Sequence, residues 1–286
     1  MRARFVALIL ALAQPFAAAA ETLEFIGQFN LETEIVYGLS GIEVSEDGMR
    51  FAAVSDQGWW FKGAFVRDGK KIRDIAEMSI APILASDGTP VAARRVGDWS
   101  DAEGLATYPD GRSWVAFERW PRVARYDGLA GNAHWIKDHP TFYDHAENWQ
   151  LEAVAVSPRG TVYAFSEKPL IEGFPIYRLA GKTWVIDGYL PEQDVFAIVG
   201  ADFDENGDLY LLERKLVVGL WWQNRVRRVK LDGSEDVVLW TGERDQFDNL
   251  EGLSVWRDEK GLRMTLVSDN NGSKVPTQFV EFRLTE

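Results

Sequence analysis

The sequence predicts an all-β fold, namely a β-propeller of five blades. Three observations support this fold class: a strand-turn-strand pattern recurs five times, no long amphipathic helical pattern competes with it, and aromatic residues that suit packing between sheets are abundant. Equivalent positions follow one another in steps of 63, 49, 47 and 52 residues. The copies read GLSGIEVSEDGMRFAAVSDQ, DAEGLATYPDGRSWVAFER, QLEAVAVSPRGTVYAFSEK, IVGADFDENGDLYLLERK and NLEGLSVWRDEKGLRMTLVSDNN.

Each copy predicts four short strands. The first strand carries the segment that reads Glu-Gly-Leu in two copies, and the second is the apolar run after the turn. The third strand alternates in polarity, carries an Arg in most copies and usually ends in an Asp-Gly or Ala-Gly pair, a signal for a two-residue hairpin. The fourth strand has a weaker pattern. Four strands of this kind make one blade of a propeller.

The ends of the chain predict how the propeller closes. The fifth copy ends at Glu286 and has no fourth strand of its own. The segment LEFIGQFNL (23–31) has the length and pattern to fill that place, and we expect it to do so because the pairing removes an exposed sheet edge. The alternative is a sixth blade, with an extra hairpin within residues 84–100 in the longest step.

The first twenty residues predict a signal peptide. Arg2 and Arg4 precede a short apolar run, FVALILALA, and Ala18-Ala19-Ala20 offers a cleavage site. The apolar run is too short for a membrane span, which needs about 20 residues. We therefore expect a signal peptide over residues 1–20, a single domain over residues 21–286, and export to the periplasm or secretion. The absence of Cys excludes disulfides and a lipid-anchored N-terminal Cys.

The charge of the chain limits its partners. The net charge of −13 becomes −15 when Arg2 and Arg4 are removed with the signal peptide. A chain this acidic repels nucleic acid and anionic lipid, so we expect no nucleic-acid partner. No apolar run after residue 20 is long enough to span a membrane, and we expect a monomer. The same charge suits divalent cations, although it could serve solubility alone.

Three glutamates are predicted to meet at the central channel. The first strand of each propeller blade lines the channel, and the second strand returns antiparallel to it. Glu103, Glu152 and Glu251 therefore stand at the channel mouth, in positions that Ser40 and Val199 fill in the other copies. Acids that end the second strands ring the same face farther out: Asp56, Glu118, Glu167, Glu213 and Asp269. The adjoining loops add Asp98, Asp101, Asp248, Asn249, Asn270 and Asn271.

This arrangement predicts a calcium site. Ca²⁺ takes six to eight oxygen ligands at about 2.3–2.6 Å, which carboxylates and Asn side chains supply. The predicted ligands are Glu103, Glu152, Glu251 and Asp269, and the three glutamates are also the predicted catalytic residues. The residue after each outer acid is Gln57, Arg119, Lys168, Arg214 or Asn270. We expect the three cations, Arg119, Lys168 and Arg214, to bind an anionic ester substrate. The alternative is that they form surface ion pairs, which contribute little.

Two further patterns are weaker. Residues 202–213, DFDENGDLYLLE, match the calcium loop of an EF-hand, but no flanking helices are predicted. On a strand, Glu213 would lie about 17–20 Å from the turn, so a hairpin turn explains the segment better. The cluster His134, His139 and His145 matches no zinc spacing, and we expect surface or packing roles. Motifs of serine hydrolases and nucleotide-binding folds are absent.

Several segments resemble one known family. The Glu103-Gly104-Leu105 and Glu251-Gly252-Leu253 segments, the run Ser268–Asn271 and the closing Phe279–Leu284 are similar to the phytase-like domain family, described as "esterase-like activity of phytase". The resemblance covers about residues 23–284. It implies a propeller, an exported bacterial protein and hydrolysis of phosphate or other esters. Characterised β-propeller phytases are six-bladed and use Ca²⁺ to bind phytate and activate water, so a five-blade count is a departure.

The sequence leaves three functional hypotheses. The first is a Ca²⁺-dependent hydrolase of phosphomonoesters, and the second is a metal-dependent lactonase or carboxylesterase. The third is a non-catalytic binding propeller of the cell envelope, with Trp59-Trp60 and Trp221-Trp222 as a partner surface. In such pairs one Trp more often packs between blades while the other points outward.

Overall fold

The fold is a five-bladed β-propeller. The computed structural model describes residues 21–33, 35, 37–93, 99–129, 131–145, 149–270 and 275–285. Within these residues, twenty strands form five antiparallel sheets of four strands each. The predicted signal peptide, Asp98 and Asn271 lie outside the described residues.

Each blade is one sheet. Blade 1 contains β2 (Leu39–Val44), β3 (Arg50–Ser55), β4 (Trp59–Asp68) and β5 (Lys71–Pro82). Blade 2 contains β6 (Ala102–Thr107), β7 (Ser113–Phe117), β8 (Arg122–Tyr126) and β9 (His134–Trp135). Blade 3 contains β10 (Leu151–Val156), β11 (Val162–Ser166), β12 (Phe174–Ala180) and β13 (Thr183–Leu190). Blade 4 contains β14 (Ala197–Phe203), β15 (Leu209–Val217), β16 (Trp221–Val229) and β17 (Asp236–Thr241).

Blade 5 closes the ring. It contains β18 (Asn249–Asp258), β19 (Gly261–Asp269), β20 (Thr277–Thr285) and the N-terminal β1 (Thr22–Leu31). Strand β1 pairs antiparallel with β20, with Phe25 opposite Phe282. The predicted closure by residues 23–31 and the count of five blades are therefore confirmed. In place of an extra hairpin, the described part of residues 84–100 holds isolated bridges from Leu84 to Pro90 and to Asn132, and a 3₁₀ turn over Val91–Ala93.

The hydrophobic core lies between the blades. Five clusters of buried apolar residues occur in the described part of the chain, and each combines two neighbouring blades. In the Trp59-Trp60 pair, Trp60 is buried against blade 2 while Trp59 is partly exposed, as the alternation of a strand requires. Each blade interface therefore has an apolar core, and burial of these side chains stabilises the ring.

Every innermost strand carries a β-bulge near its start. The register with the second strand shifts once in each blade, at Ser40-Gly41, Glu103, Glu152, Val199 and Glu251. A bulge leaves one residue unpaired and re-aims its side chain. The five positions aligned from the sequence are therefore equivalent in the structure.

A small residue follows each bulge because the innermost strands touch one another. A Cβ on Gly252 would lie 2.1 Å from the carbonyl oxygen of Ser40 in the next blade, and a Cβ on Gly104 would lie 2.7 Å from the amide nitrogen of Val154. Real Cβ atoms do not approach backbone this closely. The glycine of the Glu-Gly-Leu segment thus lets five strands converge on a narrow axis.

Candidate functional site

The start of each innermost strand and the end of the second strand meet on one face, here called the upper face. The amide of Glu118 donates to the carbonyl of Asp101 at 2.9 Å in blade 2. In blade 3 the amide of Glu167 donates to the carbonyl of Gln150 at 2.8 Å. These contacts place the strand-end acids beside the bulged glutamates, as the predicted topology requires.

Glu103, Glu152 and Glu251 converge at the upper mouth of the channel. All three side chains are buried. Glu103 and Glu251 line the narrow central cavity, and Glu152 directly precedes its lining residue Ala153. Burial raises the pKa of Glu103 well above its ordinary value, and the carboxylates of Glu152 and Glu251 raise it further. The structure therefore brings together the three glutamates that the sequence predicts at this place.

The tightest group of carboxylates lies on the side of blades 2 and 3. We call it the upper acidic cluster: Asp101, Glu103, Glu118, Glu152 and Glu167. Carboxylate oxygens of Asp101, Glu103 and Glu118 lie within 4.8 Å of one another, and so do those of Glu118, Glu152 and Glu167. Glu118 belongs to both groups, so it is the geometric centre of the cluster.

Two oxygens of this cluster are buried without a hydrogen bond among the described residues. They are Oε1 of Glu118, a residue 7% exposed, and Oε2 of Glu152, a residue 3% exposed. Buried carboxylate oxygens normally accept hydrogen bonds, because leaving one unpaired is unfavourable. An oxygen-binding cation between these side chains would satisfy both of them.

The protein environment disfavours the charged form of these acids. Burial, and after it the carboxylates of Asp101 and Glu167, raise the pKa of Glu118 to about 8, while Arg214 and Arg119 oppose the shift. Burial also raises the pKa of Glu152, with Glu118 the next contribution. A divalent cation would reverse this preference, because its charge favours ionised carboxylates at close range.

Blade 4 differs from the prediction. The register of β14 with β15 sets Ala197 opposite Arg214, so Arg214 takes the position that Glu118 and Glu167 have in blades 2 and 3. The prediction that Glu213 joins the outer ring is wrong. Its side chain is fully buried inside the blade, accepts a hydrogen bond from Nε of Arg225 at 2.6 Å and forms an ion pair with Arg227 at 3.0 Å. A slip of one residue moves a strand side chain to the other face.

Arg214 occupies the upper mouth as a paired cation. It forms an ion pair with Glu251, donates to Oδ1 of Asn249 at 2.6 Å and lies 3.7 Å from Glu167. Glu251 also accepts hydrogen bonds from Nδ2 of Asn249 at 2.8 Å and from the hydroxyl of Ser40 at 3.1 Å. Both oxygens of Glu251 are therefore engaged, in contrast to those of Glu118 and Glu152.

The remaining predicted site residues, two cations and one acid, also lie on the upper face. Nε of Arg119 lies 3.5 Å from Asp101, and Nζ of Lys168 lies 3.9 Å from Glu167. Both cations are partly exposed at the rim, and Lys168 also lies 6.0 Å from the ring centre of Trp149. Asp269 is buried opposite Asn249 in the register of blade 5. Each predicted substrate-binding cation thus sits next to a carboxylate.

Comparison with known protein families identifies the family of this chain. The model of the phytase-like family, described as "Esterase-like activity of phytase", matches residues 34–272. The chain belongs to the phytase-like family. No curated protein sequence matches it.

Several solved structures are similar to this phytase-like protein, and the one with a TM-score above 0.5 shares its fold. The PQQ-bound aldose sugar dehydrogenase of Streptomyces coelicolor has a TM-score of 0.55 and 13% identity, with 94% of this chain and 99% of that chain covered. Regucalcin, a calcium-binding protein of Agrobacterium tumefaciens, has a TM-score of 0.48 and 11% identity, with 91% and 95% covered. A gluconolactonase of Xanthomonas campestris has a TM-score of 0.44 and 11% identity, with 86% and 72% covered.

The weaker sequence patterns of this phytase-like protein have structural explanations. Asp204 accepts hydrogen bonds from the amides of Asn206 at 3.0 Å and Asp208 at 2.9 Å, which makes a tight hairpin turn, and Glu213 lies far along the strand. The EF-hand match is thus a turn, as expected. His134 pairs with Asp127 at 2.9 Å, and His139 caps a 3₁₀ turn. The clusters able to hold a metal in the described residues contain acids alone.

The sequence underrated three members of the upper acidic cluster. The sequence predicts Asp101 in a loop and Glu118 and Glu167 in the outer ring, whereas their carboxylate oxygens lie within 4.8 Å of those of Glu103 or Glu152. The position of Arg214 could have been found by counting: the strand-end residue lies seven positions after the turn glycine in blades 2, 3 and 4 alike. The acid pattern of the other copies favours Glu213 as the strand-end residue of blade 4, but the position belongs to its neighbour Arg214.

The lower mouth of the phytase-like propeller holds two acids with structural contacts. Glu43 accepts the amide of Thr107 at 3.0 Å, and Asp202 accepts the amide of Val255 at 2.6 Å. Each contact joins one blade to the next. Burial raises the pKa of Asp202 to about 7.

No helix in the described part of the chain is long and apolar enough to cross a membrane.

Proposed function

We propose that this phytase-like protein is a metal-dependent ester hydrolase that works at the upper acidic cluster. The observation that carries the proposal is the pair of buried, unpaired oxygens on Glu118 and Glu152 at the centre of converging carboxylates. Ca²⁺ fits this all-oxygen donor set better than softer metals, which select His or Cys. The family description supports ester hydrolysis as the reaction class.

The residues divide into binding and proton-transfer roles. Glu118 and Glu152 would hold the cation, and Glu103 and Glu167 would complete the donor set. A cation bound there would supply Lewis-acid polarisation of the ester and a more acidic water. Asp101 is the more solvent-reaching acid of the cluster, and it accepts the proton of the attacking water. Glu251, which the sequence also predicts as a ligand, is held by Arg214 and supports the wall of the site.

The charges of the site favour a neutral ester or lactone. Carboxylates outnumber cations among the residues that surround the upper mouth, and Arg119, Lys168 and Arg214 each lie beside an acid. A phosphate dianion would meet repulsion there, whereas a carboxylic ester would not. Phosphomonoesters are the second candidate, because Arg119 and Lys168 are partly exposed and could turn toward an anion.

A substrate panel tests the proposal. Protein stripped of metal is assayed on nitrophenyl carboxylic esters, lactones, nitrophenyl phosphate and phytate, with Ca²⁺ or with chelator. We expect turnover of carboxylic esters or lactones that requires the cation. Glu118→Gln and Glu152→Gln should abolish it, because each removes a ligand charge without changing shape. Glu205→Gln, on an exposed side chain at the lower face, is the matched control. Absence of turnover with every substrate and divalent cation would favour the non-catalytic binding propeller.

We also infer export to the periplasm or secretion, with a monomeric mature domain over residues 21–286. The inference is supported by the basic and apolar pattern of residues 1–20. Expression of the full chain with mass measurement of the mature protein tests it. Cleavage after Ala20 is the expected result, and an intact N-terminus in the cytoplasmic fraction would contradict it.

A further inference from the structure

One blade breaks the charge pattern of the upper mouth. At the end of the second strand, four blades place an acid, namely Asp56, Glu118, Glu167 and Asp269. Blade 4 places Arg214 there. At the bulge of the same blade stands Val199, which is buried in the apolar interface with blade 5. Blade 4 therefore contributes a cation and an apolar side chain where blades 2 and 3 contribute two carboxylates.

The guanidinium of Arg214 lies where it compensates the acids of the neighbouring blades. It pairs with Glu251 of blade 5 and lies 3.7 Å from Glu167 of blade 3. The indole of Trp222 covers it, with the ring centre 5.2 Å away. Asn249 fixes the arrangement, since it accepts from Arg214 and donates to Glu251. These contacts on both sides of the Arg214 side chain hold its guanidinium group in place.

We propose that Arg214 takes the place of a second metal ion at the upper mouth. The protein then binds one divalent cation, at the upper acidic cluster. On the side formed by blades 4 and 5, the guanidinium of Arg214 neutralises the carboxylate of Glu251. This inference rests on the proposed metal site and adds the residue that limits its stoichiometry.

The argument follows from the quasi-fivefold symmetry. Blades 2 and 3 show what a pair of acids at the bulge and the strand end produces, namely converging carboxylates with unpaired oxygens. Glu251 and Asp269 form the same pair in blade 5, but the oxygens of Glu251 are occupied by Arg214, Asn249 and Ser40. Removal of the guanidinium would release Glu251 as an oxygen ligand. Replacement of Arg214 by Glu would add a carboxylate in blade 4, at the position equivalent to that of Glu118 in blade 2.

Stoichiometry of cation binding tests the inference. Metal-stripped wild-type protein, Arg214→Glu and Arg214→Lys are titrated with CaCl₂ by isothermal calorimetry. We expect one site in the wild type and in Arg214→Lys, and two sites in Arg214→Glu. Arg257→Glu carries the same change in net charge at an exposed position of the lower face, and it should keep one site.

The outcomes are separable. One site in both the wild type and Arg214→Glu would overturn the role of Arg214 and leave the metal site standing. Two sites in the wild type would also overturn it. No binding in the wild type would overturn the proposed metal site itself, and this inference with it. If circular dichroism shows that Arg214→Glu is unfolded, Arg214→Gln replaces it, and a second, weaker site is expected because Glu251 is released.

Discussion

One buried carboxylate links the last blade of the ring to the first, and its replacement gives a sharp test of the closing interface. Glu281 in β20 of blade 5 is 2% exposed. It accepts two hydrogen bonds from Arg67 of blade 1, at 2.8 and 2.9 Å, and one from Arg263 at 2.9 Å. The hydroxyl of Thr265 donates to it at 3.1 Å. The change Glu281→Gln keeps the shape but removes the counter-charge of Arg67 and one of the two counter-charges of Arg263.

The magnitude follows from burial. Breaking a buried ion pair by removing one partner typically costs about 3–5 kcal/mol, because the remaining charge stays desolvated. Arg67 keeps a hydrogen bond to the carbonyl of Gly48, and Arg263 keeps Asp258, so we expect a loss of about 3 kcal/mol. For a chain of this size such a loss lowers the Tm by roughly 6–12 °C.

Urea and thermal unfolding, followed by Trp fluorescence and circular dichroism, measure the effect. Asp187→Asn is the matched control, because Asp187 makes the same two-point contact with Arg178, at 2.8 and 3.0 Å, on the exposed edge of one blade. The control should change stability little, since water screens exposed pairs. Equal losses in the two variants would refute the reasoning that burial across the closing interface sets the energy.

Two further predictions concern the axis of the propeller. Gly252→Ala should destabilise the fold by about 3 kcal/mol or more, because its Cβ would meet the backbone of Ser40. Ala153→Gly, at the equivalent position of blade 3, is the control and should have a small effect in the same urea titration. Similar unfolding midpoints for the two variants would contradict the packing argument. Asp202 has a pKa of about 7 in the fold against an ordinary value of 3.8, so its contribution to stability is full below pH 3.8 and is lost as the pH rises through 7. Asp202→Asn should therefore lose less stability than the wild type between pH 4 and 8 in unfolding titrations, and parallel curves would show that Asp202 does not titrate in this range.

The repeat pattern was enough to predict the architecture. Each copy carries its own turn glycine, apolar run and hairpin signal, and such local signals survive without knowledge of distant contacts. The missing fourth strand of the last copy predicted that residues 23–31 close the ring, which the pairing of β1 with β20 confirms. The convergence of Glu103, Glu152 and Glu251 followed from the same symmetry.

The sequence alone determined the blade count, the closure and the face on which the acids gather, because these depend on periodicity along the chain. Only the tertiary structure decided which acids share a site and which are neutralised. Glu118 lies at the centre of the cluster because it is close to acids of both blade 2 and blade 3. Glu251 forms an ion pair with Arg214, which belongs to blade 4. Strand register and the distance between side chains of different blades set these pairings, and neither is written in the local pattern of any single repeat.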